Sequence, residues 1–164
     1  MDIAKSKVMS YKDPKLPPQI AVSDKPDWAT NLTTISATDA QTLVAVIRTL
    51  YPHDALPETL YRRVVLHFDR LNVAARLEKF CAEVKAFWPL PFAELPESYR
   101  VQVLKKVEAT PAFFFVQRMA VRYLYDDINI WAAFGYEGAS VHLGGYVKRG
   151  FNDLDWLPPL PNDL

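Results

Sequence analysis

Cysteine and glycine are both scarce in this chain of 164 residues. Cys81 is the only cysteine, which excludes an internal disulfide and a cage of thiolates around a metal. It falls among apolar positions of a helical pattern, so we expect a buried and inert thiol. All five glycines lie between Gly135 and Gly150, so none interrupts the chain before that stretch.

The sequence also lacks an excess of charge and a long apolar run. Its 19 lysines and arginines balance 19 aspartates and glutamates, and nucleic-acid binding needs a clustered positive excess. We therefore expect no nucleic-acid partner. No window approaches the roughly 18 consecutive apolar residues of a membrane-spanning helix, so no membrane span is expected. The first residues show neither an apolar signal core nor twin arginines, which favours a cytoplasmic protein, with the periplasm as the alternative.

Residue patterns that would indicate catalysis are missing as well. None of the three histidines, His53, His67 and His142, is spaced from another histidine or from cysteine as metal ligands are. The glycines match neither type of phosphate-binding loop. The adjacent acids Asp126 and Asp127 are expected to cap a helix rather than bind a metal. The sequence thus predicts no catalytic, cofactor-binding or metal-binding residue, and no enzyme activity of the chain by itself.

Prolines set apart the beginning of the chain. Residues 1–35 contain four of them and little periodicity, which predicts an extended N-terminal arm. Trp28 is the large apolar side chain of this arm. We expect it to plug into the surface of its own domain, with contact to another chain as the alternative.

A period of 3.6 residues runs from Ser36 to Phe134, and it predicts an all-α bundle of five or six helices over residues 36–134. No strand is needed anywhere. Helix starts are indicated by a capping box at Thr38, by Pro57, Pro96 and Thr110–Pro111, and by the acids at Asp126–Asp127. Gly135 fits the left-handed residue that ends the last helix.

The helix that begins at Pro111 is the most apolar one. Its residues 112–116, AFFFV, are apolar on every face, which predicts a helix surrounded by its own bundle or by a partner. Arg118, Arg122 and Asp126 follow at spacings of four. Internal ion pairing is the expected role of these residues, and an interface role is the alternative because guanidinium groups are enriched there.

Residues 135–164 form an irregular C-terminal tail of glycines, prolines and aromatic residues. The tail has too few apolar residues to order itself against about 1–2 kcal/mol of conformational entropy per residue. We expect it to wrap a partner, with sealing of its own bundle as the alternative. The predicted interface residues are Phe113, Phe114, Arg118, Trp131, Tyr136, Tyr146, Phe151 and Trp156.

Five segments, in order along the chain, resemble one family. They are TLVAVIRTLYPHDALP, FAELPESYRVQVLKKVE, TPAFFFVQRMAVRYLYDD, FGYEG and GGYVKRGFNDLDWLP. Together they are similar to gluconate 2-dehydrogenase subunit 3, the small or gamma subunit of FAD-dependent sugar dehydrogenases. The resemblance covers residues 38–158.

This resemblance implies a non-catalytic small subunit in a hetero-oligomer. The implied partner is a large flavoprotein of the glucose-methanol-choline oxidoreductase type, which binds FAD and oxidises a sugar hydroxyl. The small subunit would help that partner fold and remain stable, and would hold no cofactor itself. Two alternatives stay open: an adaptor or regulatory module that binds a different protein, and a standalone helical metal-dependent enzyme that uses His53, His67 or His142.

Overall fold

The computed structural model describes residues 19–136, 138, 144–145 and 147. These residues contain six α-helices, two short 3-10 helices and no strand, which confirms the predicted all-α fold for this part of the chain. The α-helices are α1 (Ala37–Leu50), α2 (Glu58–Asp69), α3 (Ala74–Lys85), α4 (Glu97–Val107), α5 (Pro111–Tyr125) and α6 (Ile128–Phe134). The 3-10 helices are Trp28–Asn31 and Phe92–Glu94.

Helix α1 lies at the centre of the bundle and packs against α2, α3, α4 and α5. Its N-cap stands two residues before the predicted one, Thr38. Ser36 is the N-cap, and its Oγ accepts a hydrogen bond from the backbone N–H of Asp39 at 3.1 Å. Thr38, the predicted cap, therefore lies inside the first turn. The prolines Pro57 and Pro96 likewise stand one position before α2 and α4 instead of at their first residues.

Large rings fill the core between the helices. The most completely buried aromatic side chains are Tyr61, Phe68, Phe80 and Phe92, which come from α2, α3 and the second 3-10 helix. Burying one such side chain contributes about 1.5–3 kcal/mol to folding. Cys81 lies in the same core, as predicted, and burial raises the pKa of its thiol, which keeps it protonated.

Helices α5 and α6 begin where the sequence predicts. Thr110 Oγ1 accepts a hydrogen bond from the backbone N–H of Phe113, and Pro111 follows as the first helical residue. Asp127 caps α6 by accepting a hydrogen bond from the N–H of Asn129. Only the second acid of the predicted pair is a cap, because Asp126 ends α5. Gly135 closes α6 in the left-handed conformation, with φ of 72°.

The described part of the N-terminal arm packs against the bundle. Trp28 is 8% exposed within the hydrophobic core, which confirms that it plugs into its own domain. The guanidinium of Arg62 lies 5.5 Å from the centre of the Trp28 ring. Further along the arm, the carboxylate of Asp69 accepts hydrogen bonds from the backbone N–H groups of Thr33, Thr34 and Ile35. Residues 19–35 are thus attached to α2.

Candidate partner-binding surface

Helix α5 has a buried face and an exposed face. Phe113, Val116, Ala120 and Leu124 recur every three or four residues and point into the core. On the other side Phe114, Arg118, Val121 and Arg122 are exposed, and the Phe114 side chain is 51% exposed. The bundle therefore does not enclose the AFFFV segment on every face, and covering of the exposed side by a partner stays a prediction.

An open groove of about 510 Å³ lies along the first half of this exposed face. Phe114, Phe115 and Met119 give it apolar walls, and Arg118 adds a positive charge. The guanidinium of Arg76, on α3, lies 4.6 Å from the centre of the Phe115 ring. The groove is therefore lined mainly by apolar side chains, with positive charge from Arg118 in its lining and from Arg76 beside it. Phe114, Phe115, Arg118, Met119, Val121 and Arg122 are called the α5 face below.

The arginines of the α5 face do not form the predicted internal ion pairs. Within the described ranges, the ion pairs join Arg62 with Glu58, Arg63 with Asp127 and Lys85 with Asp39. Arg122 instead has its guanidinium 5.8 Å from the centre of the Tyr123 ring. Among the described residues no carboxylate forms an ion pair with Arg118 or Arg122, so this part of the chain leaves both positive charges on the α5 face open to a partner.

A second aromatic group lies where α6 ends. His53 Nε2 and Tyr125 Oη are 2.6 Å apart, and the exposed Phe134 ring stands edge-on to the His53 ring at 5.0 Å. The half-buried Trp131 meets the exposed Tyr136 ring edge-on at 5.1 Å, and its Nε1–H donates to the Tyr125 carbonyl. Burial raises the pKa of Tyr125, so its phenol stays protonated at neutral pH and can donate to the imidazole of His53.

The predicted interface residues separate into three groups. Phe114, Arg118 and Tyr136 are exposed and Trp131 is half-buried, so these four are available at the surface to different degrees. Phe113 belongs to the core instead: it is 6% exposed, and its ring lies 6.4 Å from that of Phe80. It is therefore removed from the candidate surface. The other three, Tyr146, Phe151 and Trp156, lie outside the described residues.

Two exposed apolar groups were missed by the sequence prediction. Phe134 is the last residue of α6, and Phe87, Trp88 and Leu90 follow the end of α3. The signal that could have found them is positional. An aromatic residue directly before Gly135, or directly before Pro89, stands where the helix ends and can no longer pack along its buried stripe.

The two described histidines have structural contacts. The His67 ring stacks on Tyr123 with centroids 4.5 Å apart, and burial lowers its pKa, so the imidazole is neutral at pH 7. His53 contacts Tyr125 and Phe134. In the part of the chain that the structure describes, no group of three His, Cys, Asp or Glu side chains could hold a metal ion. None of the helices there combines the length and the apolarity needed to cross a membrane.

Fold and surface together define a small all-α bundle with an exposed face of aromatic residues and arginines. In comparisons with known proteins, no protein-family model, no curated protein and no solved structure matches the chain.

Proposed function

We propose that this chain is the non-catalytic small subunit of an FAD-dependent oxidoreductase complex. Its partner would be a large flavoprotein of the glucose-methanol-choline type that oxidises sugar hydroxyls and holds the FAD. The small subunit would stabilise that partner and assist its folding. The observation that carries the proposal is the α5 face, where Phe114 is 51% exposed beside an open groove of about 510 Å³.

The chemistry of the α5 face supports binding to a protein. Aromatic residues, phenylalanine included, and arginine are enriched in protein–protein interfaces, and Phe114 and Arg118 lie one helical turn apart. Full burial of a large apolar side chain is worth about 1.5–3 kcal/mol, and covering the half-exposed Phe114 would contribute part of this free energy to binding. A matching partner surface would present an apolar side chain to the groove and carboxylates to Arg118 and Arg122.

The identity of the partner is supported by the motifs. The segment TPAFFFVQRMAVRYLYDD, which is one of the five that resemble gluconate 2-dehydrogenase subunit 3, comprises the cap and the whole of α5. The proposed binding surface therefore lies on a helix that also carries the resemblance. Two members of the second aromatic group, Phe134 and Tyr136, lie on another of these segments, FGYEG.

Co-expression tests the proposal. A large flavoprotein subunit of this type from the same genome is produced with and without this chain, and soluble yield, FAD absorbance and sugar oxidation are measured. We expect all three to fall when the chain is omitted. Unchanged yield, FAD content and activity without the chain would contradict the proposal.

Two variants locate the surface. Phe114→Ala should reduce co-purification of the flavoprotein by about tenfold or more, as truncation of a dominant interface residue does. Tyr99→Ala is the control, because Tyr99 is 41% exposed but lies on α4, away from the groove residues. If the α5 face instead binds a protein without flavin and leaves the flavoprotein unbound, the adaptor alternative replaces the proposal.

A further inference from the structure

A second cleft, of about 370 Å³, lies between the N-terminal arm, α1, α2, α4 and the second 3-10 helix. Trp28, Val44 and Ala45 supply apolar walls. The polar lining includes Arg48 from α1 and Arg100 from α4. Four helices and the arm thus bring two guanidinium groups into one concave site, which is separate from the α5 face.

The charges of this cleft do not balance. Its one carboxylate, Glu58, is already engaged, since Oε1 of Glu58 lies 2.6 Å from Arg62 Nη2 and accepts a hydrogen bond from Arg62 Nε at 2.9 Å. Neither Arg48 nor Arg100 forms an ion pair with any residue that the structure describes. The cleft therefore keeps two positive charges that are not neutralised from within these parts of the chain.

Both arginines keep hydrogen-bond donors for a ligand. The Arg48 guanidinium lies 5.7 Å from the centre of the Tyr61 ring, and its N–H groups form no hydrogen bond with the residues that the structure describes. Arg100 donates its Nε–H to the carbonyl oxygen of Leu95 at 2.8 Å. Because a guanidinium has five N–H donors, the terminal nitrogens of Arg100 remain available.

We propose that this cleft binds a carboxylate. Arginine pairs with carboxylates through two parallel N–H···O bonds, and two arginines in one cleft can engage both oxygens. The size of the cleft lies within the range of about 300–1,000 Å³ that is typical of small-molecule sites. Val44, Ala45 and Trp28 favour a ligand with an apolar body over a bare inorganic anion. The inference stands whether or not the chain is a flavoprotein subunit.

Nuclear magnetic resonance of the full chain tests the site. Sodium benzoate is titrated while the backbone N–H signals around Arg48, the Arg48 and Arg100 Nε–H signals and the Trp28 indole N–H signal are followed. Sodium chloride at equal ionic strength and inorganic phosphate are titrated in parallel. We expect saturable shifts with benzoate and none with chloride. Shifts that rise linearly and equally with benzoate and chloride would overturn the proposal, as would tighter binding of phosphate.

Arginine variants identify the groups responsible. Arg48→Gln should weaken benzoate binding by about tenfold or more, because charge-assisted hydrogen bonds are lost. Arg70→Gln is the control, since Arg70 is an exposed arginine at the end of α2 that lines neither this cleft nor the groove on α5. The control should bind benzoate like the parent chain. Equal affinity of Arg48→Gln and the parent would refute the site.

Conservative variants keep the test decisive if Arg48→Gln does not fold. Arg48→Lys and Arg100→Lys retain the charge but lose the two-pronged geometry, so each should bind benzoate more weakly than the parent. Unchanged affinity in both would refute the site.

Titration with N-acetyl-glutamate amide then distinguishes the source of the carboxylate. Tighter binding of this compound than of benzoate indicates an acidic side chain of a protein, and the reverse order indicates a free organic acid.

Discussion

Asp69 Oδ1 accepts a hydrogen bond of 2.7 Å from the backbone N–H of Thr34, across 35 positions of the sequence. The same carboxylate accepts from the N–H groups of Thr33 and Ile35 and from the hydroxyls of Thr33 and Thr34. The aspartate stands at the last position of α2 and is 7% exposed. A single buried carboxylate thus joins the N-terminal arm to the bundle just before α1 begins.

Stability should fall in acid through Asp69. Burial alone would raise the pKa of this carboxyl, but the hydrogen bonds from Thr33 and Thr34 outweigh burial and lower it from 3.8 to about 2. A lowered pKa in the folded state gives stability that is present above pH 3.8 and lost as the pH falls through about 2. The contribution at neutral pH is about 2 kcal/mol.

Urea unfolding at pH 5 and pH 2 measures this contribution. The free energy of unfolding should fall from pH 5 to pH 2 in both the parent chain and Asp69→Asn. The fall should be about 2 kcal/mol larger in the parent chain. Asp54→Asn is the control, because Asp54 is an exposed residue of the loop between α1 and α2. It should reproduce the loss of the parent. The same acid sensitivity in Asp69→Asn and the parent would disprove the role of Asp69.

Phe113 and Phe114 are neighbours that should respond in opposite ways to truncation. Phe113→Ala removes a ring from the core and should lower the free energy of unfolding by about 3–5 kcal/mol. Phe114→Ala removes a half-exposed ring and should change it by no more than about 0.5 kcal/mol. Thermal and urea unfolding of the isolated chain compare the two. Similar losses in both variants would show that the α5 face is covered within the chain itself.

Arg63 should be needed for the stability of the junction between α5 and α6. It forms an ion pair with Asp127, which is 4% exposed, and it also donates to the carbonyl oxygen of Ile20. Arg63→Ala leaves a buried carboxylate without its cation and should cost about 3–5 kcal/mol of unfolding free energy.

A more exposed ion pair gives the comparison for Arg63. Lys85 is well exposed and forms its ion pair with Asp39. Lys85→Ala breaks this pair and should lower the free energy of unfolding by about 1 kcal/mol or less. Chemical denaturation of both variants gives the two values. If Arg63→Ala is no more harmful than Lys85→Ala, the buried pair does not stabilise the junction.

Cys81 should be unreactive while the chain is folded. Its thiol is buried, and burial raises its pKa, so little thiolate forms at neutral pH. A thiol reagent should modify the folded chain at least about a hundredfold more slowly than the chain in urea, because reaction requires opening of the core. Because Cys81 is the only cysteine, its rate of modification reports on opening of the core without the removal of any other thiol. Rapid modification in native buffer would contradict the described packing.

Local signals in the sequence predicted most of the helices. The Thr110–Pro111 pair and Gly135 stand where α5 begins and α6 ends, because caps and left-handed residues depend on only a few neighbouring residues. The start of α1 depends on more than its neighbours. Ser36 is its N-cap, and the residues just before it are held by Asp69, which is 34 positions from Ile35 in the sequence. A local pattern does not contain that contact.

The candidate surface could be predicted only in part, for a similar reason. Periodicity places successive phenylalanines about 100° apart around a helix, but it does not say which of them meets α3. Phe113 packs near Phe80, and this leaves Phe114 outside. The spacing of Arg122 and Asp126 predicted an ion pair within one helix. The structure instead pairs the next acid, Asp127, with Arg63, which is 64 residues away in the sequence. Charge pairing across the bundle is set by the fold.

The backbone torsion of Gly135 sets the path by which the polypeptide leaves α6. Apart from Gly135 itself and its neighbours along the chain, no atom of the described residues lies within 4 Å of the place where a Cβ of Gly135 would stand. An alanine would therefore find room there, yet it would oppose the positive φ by about 1–2 kcal/mol. Exchanging this one residue for alanine should therefore move Tyr136 away from the Trp131 ring while leaving the buried side chains of the bundle in place.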